Sequence, residues 1–386
     1  MASASSLGFA RFSYSLILPA MATTLHWDYQ RLGTLNTVNA VGFLAGAFSA
    51  TTFSNKFGTK RIFTASILLV ALMGILSGIS ANFTLLLLAR TLSGVFGGMT
   101  FVSGGSLVSN STTHMGHKTA AAASGIYFAG AGAGILISGL VIPPVLSHMG
   151  NSAWQWGWIV MGLLCLLSAA LALPQTKNLI EPPKLATRTS LRFPIRGFEP
   201  SIIASALFGA GYISFITFLV AFLTSAGNKS STISWFWAML GISTMVTGPI
   251  WGLALARLKG GIGLASILFV AAVGTACPLM TSNFLVLMLS ALLFGSSIMS
   301  VGTSYTILAQ RNLDMRLVGS AIGVYTTAIA FGQIVGPVGV GTLADTSQGV
   351  RLGIVASLVM LLAGTVISLF QKDRVVSGKA TVKING

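Results

Sequence analysis

The sequence predicts an all-α integral membrane protein with twelve transmembrane helices in two six-helix bundles. Three observations carry this expectation. Of 386 residues, 54% are hydrophobic and 7% are charged, whereas soluble domains carry about a quarter charged residues. Apolar stretches near the roughly 20 residues that a helix needs to cross about 30 Å of hydrocarbon recur along the whole chain. A proline-rich basic stretch near the middle leaves six of them on each side.

The stretches before that break cover 3–24, 32–53, 62–81, 84–107, 119–142 and 154–173. The first has no basic run ahead of it and is interrupted by Arg11, so it is read as a retained helix rather than a cleaved leader; it starts so close to Met1 that a few upstream residues are expected to be missing. The second carries Asn36 and Asn39 on one face, three residues apart, and ends on Asn55-Lys56-Phe57-Gly58. The fourth holds Arg90, the fifth the run Gly130-Ala131-Gly132-Ala133-Gly134, and the sixth Cys165. Pro174, Pro182, Pro183, Pro194 and Pro200 with five basic residues then mark a linker. Beyond it the stretches cover 201–223, 233–256, 262–280, 284–308, 317–343 and 352–370. The domains expected are a first bundle 1–174, a linker 175–200, a second bundle 201–371 and a basic tail 372–386. Cys277 is alone in the ninth stretch, and with no CxxC spacing neither a disulfide framework nor a zinc site is expected. His114 and His117 lack the Cys or carboxylate partners that a metal pair needs.

Lys and Arg orient the chain, because short cytoplasmic loops hold the excess. Lys56, Lys60, Arg61, Lys118, Lys177, Lys184, Arg188, Arg192, Arg196, Arg257, Lys259, Arg311, Arg316, Lys372, Arg374, Lys379 and Lys383 make seventeen on one side; Arg31, Lys229 and Arg351 make three on the other. Both termini and the linker are therefore expected in the cytoplasm. The net charge of +16 lies mostly where anionic inner-leaflet lipids would meet it, so it calls for no nucleic acid.

Lipid tails give helices no hydrophobic reason to associate, and close backbone contact must do that work. Small-residue pairs at Gly42/Gly46, Gly74/Gly78, Gly94/Gly98, Gly130/Gly134, Gly248/Gly252, Gly319/Gly323 and Gly332/Gly336 are candidate contact points. The fifth span of each half carries a special step, the Gly130 to Gly134 run and Gly336-Pro337, a sign of internal duplication.

All six acidic residues, Asp28, Glu181, Glu199, Asp314, Asp345 and Asp373, fall in loops, tails or span ends. Two arginines do not. At 1.5 Å per residue, Arg11 is roughly 12 Å and Arg90 roughly 9 Å inside their helices. A charge at the bilayer centre costs at least about 2.5–3.5 kcal/mol on insertion scales and normally faces a cavity or a partner. With no carboxylate nearby, the partner expected is a negative group on the solute, held through two parallel hydrogen bonds. Arg90 admits a structural reading, hydrogen bonding to backbone carbonyls, on equal terms. Tyr14, Asn36, Asn39, Tyr127, Tyr212, Thr217, Trp235, Tyr305 and Gln333 are the further candidates for the same cavity. Singly, each reads as an interhelical hydrogen bond or an interfacial aromatic ahead of a ligand; as a set drawn from both halves they fit a site between bundles.

Six plus six helices with a basic central loop resemble the major facilitator superfamily, and the local sequences are similar to its YbfB/YjiJ-type branch, a bacterial group. The matching stretches are Gly8 to Tyr14 with Pro19 and Met21, Arg90 to Gly94, Tyr127 to Gly134, Trp154 to Trp158, Tyr212 to Phe218, and Gly332 to Pro337. The resemblance implies a secondary transporter of the bacterial cytoplasmic membrane that moves a small-molecule substrate by alternating access, as a monomer and without a cofactor. Gly58, Gly94, Gly130, Gly134, Gly332, Gly336 and Pro337 are expected to serve packing or conformational change. Two departures stand out: Asn55 occupies the position where the superfamily's loop between helices 2 and 3 carries an acid, and the fifth span lacks the Gly-Pro step of drug/proton antiporters.

Other classes fit less well. An intramembrane enzyme needs a nucleophile with its base, paired aspartates or a metal motif, and a channel needs a selectivity ring or pore loop; the chain offers none of these. Sugar or drug efflux and a nontransporting sensor on the same fold stay as alternatives to an anionic solute. So do facilitated diffusion, exchange and proton cotransport, since no span holds an acidic proton site.

Overall fold

A computed structural model describes residues 1–183, 193–346 and 349–373. Lys184, Arg188, Arg192, Arg374, Lys379 and Lys383, counted above in the linker and tail, lie outside the described residues. The described residues fold entirely into helices and their connections. A π-helical stretch (Ala4–Phe12) precedes α1 (Tyr14–Leu25), α2 (Tyr29–Phe57), α3 (Thr59–Ser77), α4 (Phe83–Thr112), α5 (His117–Met149) and α6 (Trp154–Thr176). After the linker come α7 (Glu199–Ser225), α8 (Ser230–Met245), α9 (Thr247–Arg257), α10 (Ile262–Met280), α11 (Phe284–Ile298), α12 (Ser300–Asn312), α13 (Met315–Ala344) and α14 (Gly349–Leu369).

Among the described residues nine helical segments are long and apolar enough to cross a membrane, or ten if the bent pair α8–α9 is one span. Two of the twelve expected stretches fall short. One is the first, split at Ser13. The other is α2, whose 29 residues include Gln30, Arg31, Asn36, Asn39, Asn55 and Lys56. They are also the two that carry Arg11 and the asparagine pair, so polarity concentrates where a site was expected.

Three helices break, each for a local reason. At Ser13 the backbone N–H reaches back five residues to Gly8 at 3.1 Å, the wide turn of a π-helix, a form met often at functional sites. Between α8 and α9 the axis bends by 51°; position 249 is a proline with no N–H to donate to the carbonyl of Met245. Between α11 and α12 the hydroxyls of Ser296, Ser297 and Ser300 bond to carbonyls three or four residues back, a pattern that bends helices. Pro200, expected in the linker, stands instead in the first turn of α7, where a missing N–H removes no bond.

Each of the six acidic residues accepts from a backbone amide at or near a helix start. Asp28 caps α2 through Arg31 N–H at 2.6 Å and Asp314 caps α13 through Arg316 at 2.9 Å. Glu181 accepts from Thr59 and Lys60 at the start of α3, Glu199 from Gly197, and Asp373 from Gly260 at 2.9 Å. Asp345 accepts from Tyr29 at 2.7 Å and Gln30 at 2.8 Å. Gly58 turns the chain into α3 with φ +92°, a conformation that favours glycine, beside Glu181.

The helices before the linker pack mainly on one another, α2 on α4, α3 on α4 and α6, and the π-helical stretch on α4, α5 and α6; those after it do likewise, α7 on α13 and α14, α10 on α11 and α14, and α8 on α11. Glycine makes the closest approaches. A β-carbon at Gly94 would overlap the carbonyl of Asn39, one at Gly134 the backbone of Ala4 and Gly8, and one at Gly130 the hydroxyl of Ser3. Gly332 and Gly336 meet Ala206 and Ala210 of α7 in the same way. Gly248, Gly252 and Gly323 meet nothing within 4 Å.

Contacts between the two groups run chiefly through α5 on α8, α2 on α13, and α1 on α7. They cluster toward one face of the molecule, the face holding the α1–α2, α7–α8 and α13–α14 connections. There Asp345 caps α2 from across the seam, Gly341 lies on the carbonyl of Tyr29, and Gly33 on the carbonyl of Pro337. Ser230 donates to Pro143 O at 3.0 Å, and Gly139 lies on Trp237. Deeper in, Thr37 donates to Ile334 O at 2.8 Å. Beyond that level α2 and α13 part, leaving Val41 and Phe331 exposed, and α9 and α12 make no extensive contact with the first six helices. The seam is closed at the Asp345 face and open at the linker face.

Candidate functional site

Where the seam closes, side chains from both groups of helices meet. Arg11, on the π-helical stretch, is 4% exposed. Its Nη2 donates to Gln333 Oε1 at 2.7 Å, and Gln333 Nε2 donates to the Tyr212 hydroxyl at 2.6 Å. The Arg11 guanidinium lies over Phe43, 5.3 Å from the ring centroid, and Tyr212 stacks on Phe208 with centroids 4.8 Å apart. Alongside, Asn36 Nδ2 donates to Thr217 Oγ1 at 2.5 Å, while Ser15 Oγ donates to Ile216 O. Polar side chains thus join α2 and the first helix to α7 and α13 across the seam, with a positive charge among them.

A second layer lies behind, wholly inside the first group of helices. Arg90, 1% exposed, donates from Nη1 to Ala10 O at 2.7 Å, the carbonyl next to Arg11. Its guanidinium lies 4.6 Å from the Trp158 ring centroid and 5.4 Å from that of Tyr14. Asn39 Nδ2 donates to Arg90 O at 3.0 Å, and the Tyr14 hydroxyl to Leu32 O at 2.7 Å. Arg90 therefore holds the turn that presents Arg11.

Neither arginine meets a carboxylate among the described residues. Arg11 Nε, Arg90 Nε and Arg90 Nη2 have no acceptor, and Asn36 Oδ1 and Asn39 Oδ1 have no donor. Buried polar groups are almost always paired, so these atoms stand out; Ser5, Ser93, Trp158, Ser214, Ser234, Trp237 and Trp251 also bury a polar atom without a partner among the described residues.

The remaining candidates are not brought here. Tyr127 on α5 donates to Phe101 O at 2.5 Å, within the first group and toward the linker face. Tyr305 stacks on Tyr325 with centroids 5.0 Å apart, in a cluster with Phe193 and Phe198 where the chain returns from the linker. Trp235 is 58% exposed on α8, whereas Trp237 is buried in the seam. A depression of about 630 Å³ at the Asp345 face, lined by Tyr29, Phe222, Pro278 and Arg351 among others, shares no residue with the arginine cluster. Sequence reasoning missed Ser15 and Phe43. Ser15 stands four residues after Arg11, a helical repeat that flags a shared face; Phe43 has no such signal among so many apolar neighbours.

Residues 3–369 match the family model described as "Uncharacterised MFS-type transporter YbfB". The chain is 27% identical over 155 residues to a protein of Cupriavidus pinatubonensis described as a "Probable 4-methylmuconolactone transporter", covering 40% of this chain and 36% of that one. It is 26% identical over 265 residues to a "Putative metabolite transport protein" of Haemophilus influenzae, covering 63% and 62%. The matches thus span about a third and three fifths of these curated relatives' lengths. Among solved structures, a bacterial homologue of the human lysosomal transporter Spinster, inward-facing and unoccupied, superposes with a TM-score of 0.71 at 17% identity, over 98% of this chain and 97% of that one. The nucleoside transporter NupG superposes with a TM-score of 0.69 at 15% identity, over 95% and 96%. An all-helical membrane architecture, the fold shared with these carriers and a family match over nearly the whole length lead to one conclusion: the chain is a multi-pass membrane protein that belongs to the YbfB-type family of MFS transporters.

Proposed function

We propose that this transporter carries a small organic anion, a carboxylate, across the bacterial cytoplasmic membrane by alternating access between two bundles, 1–174 and 201–371. The observation that carries the reading is Arg11: a guanidinium sealed at the seam, tied only to a neutral amide, with its Nε–H unsatisfied. An unpaired buried ion costs several kcal/mol. A carboxylate offsets that cost by charge and by paired hydrogen bonds. Arg90 supports the same site from behind through Ala10. The name of one relative points the same way, since a muconolactone is a lactone that bears a carboxylate arm.

The first helix and α2 complete the twelve spans, with Arg11, Asn36 and Asn39 buried in protein rather than facing lipid, as intramembrane polar groups normally are. The excess of Lys and Arg at the linker face supports a cytoplasmic position for it, and on that reading this conformation is closed to the outside and open inward. Anionic lipids are the expected neighbours of that face.

The test is flux. Purified protein in proteoliposomes is challenged with labelled monocarboxylates, 4-methylmuconolactone included, and in parallel with their uncharged amides, sugars and nucleosides. Saturable exchange of a carboxylate without its amide is expected; transport of the neutral solutes alone would overturn the anion reading, and no flux of any solute would favour a sensor.

A further inference from the structure

Gln333 occupies the guanidinium that an anion would need. Its Oε1 accepts from Arg11 at 2.7 Å, and its Nε2 is held by the Tyr212 hydroxyl at 2.6 Å. An amide oxygen presents the same acceptor geometry as a carboxylate oxygen without the charge. Arg11 belongs to the helices before the linker, and Gln333 and Tyr212 to those after it. The bond is therefore both an occupant of the site and a tie across the seam.

Building on the anion reading above, we propose that Gln333 is a displaceable internal surrogate for the substrate carboxylate, and that it sets selectivity for anions. In the empty carrier its amide completes Arg11 in part, leaving Nε–H without an acceptor. A carboxylate makes charge-assisted bonds about twice as strong as the neutral one and can engage two N–H groups at once, so it displaces the amide. A neutral solute has no such advantage and is excluded by competition. Displacement cuts the Arg11 to Gln333 tie at the moment the site fills. The ties from Asn36 to Thr217 and Ser15 to Ile216 remain. Binding thereby loosens the seam at its charged point, and the loss of one tie makes the step to the other conformation easier when loaded than when empty.

Two substitutions pull in opposite directions. Gln333→Ala removes the competitor and is expected to bind carboxylates several-fold to roughly tenfold more tightly, while admitting the neutral amide analogues. Gln333→Glu supplies a permanent counter-ion to Arg11 and is expected to weaken carboxylate binding by at least about tenfold, with thermal stability kept or raised. Both are measured by equilibrium binding of labelled 4-methylmuconolactone and benzoate to purified protein, beside wild type and Arg11→Gln. If wild type binds and Arg11→Gln does not, while both Gln333 variants match wild type, the surrogate role fails and the anion reading stands. If no carboxylate binds wild type, or Arg11→Gln binds as wild type does, both fail together.

Discussion

The two ends of the seam use the same chemistry to opposite effect. At the Asp345 face a carboxylate from beyond α13 caps α2 across the divide, and glycines bring the backbones of α2 and α13 into contact. At the linker face the carboxylates of Glu181 and Asp373 also cap helix starts, but each does so within its own group: Glu181 at α3, Asp373 at Gly260 just ahead of α10. Asn110 and Asn312 repeat the likeness, each donating to the segment that follows the last helix of its half. At the first end one carboxylate, Asp345, ties the halves together, whereas Glu181 and Asp373 at the other end bond within their own halves.

The comparison breaks most readily at Gly33. A β-carbon there would overlap the carbonyl of Pro337, so Gly33→Leu adds an overpacking cost of about 1–3 kcal/mol to the closed seam alone. Spin-label distances across the Asp345 face are expected to lengthen while the protein still folds; unchanged distances would mean that this contact does not hold the gate. Asp345→Asn is the next largest. It keeps an acceptor oxygen but loses the charge at a helix N-terminus, worth about 0.3–1 kcal/mol, and so shifts cysteine accessibility toward a form open at the Asp345 face by a few-fold. Glu181→Gln sharpens the contrast: the same kind of loss, a slightly lower melting temperature, and no change in accessibility, because its bonds stay within one half.

Much of this was legible in the sequence, and the exceptions share a cause. The helices followed from length and hydropathy, and Arg11, Asn36, Thr217, Tyr212 and Gln333 stood out because a polar group in an apolar span must find a partner. The structure brings those five together. Tyr127, Tyr305 and Trp235 were flagged on the same ground but lie elsewhere, because an aromatic ring is at home in the interior, at an interface or against lipid. Asp345 and Glu181 read as ordinary loop acids, since a cap supplied by a distant segment leaves no local pattern. The end of α2 was placed early, at 53 rather than Phe57, because Asn55 and Lys56 look like a turn while Gly58 is what stops the helix.

Binding of the solute's negative group by Arg11 is tested by the affinity for a transported carboxylate, measured across Arg11 variants. Arg11→Gln is expected to lose at least about tenfold, in line with the roughly 1.5–3 kcal/mol of a charged hydrogen bond, and Arg11→Lys, which keeps the charge but not the paired geometry, to fall between. Equal affinity in all three proteins would contradict the account.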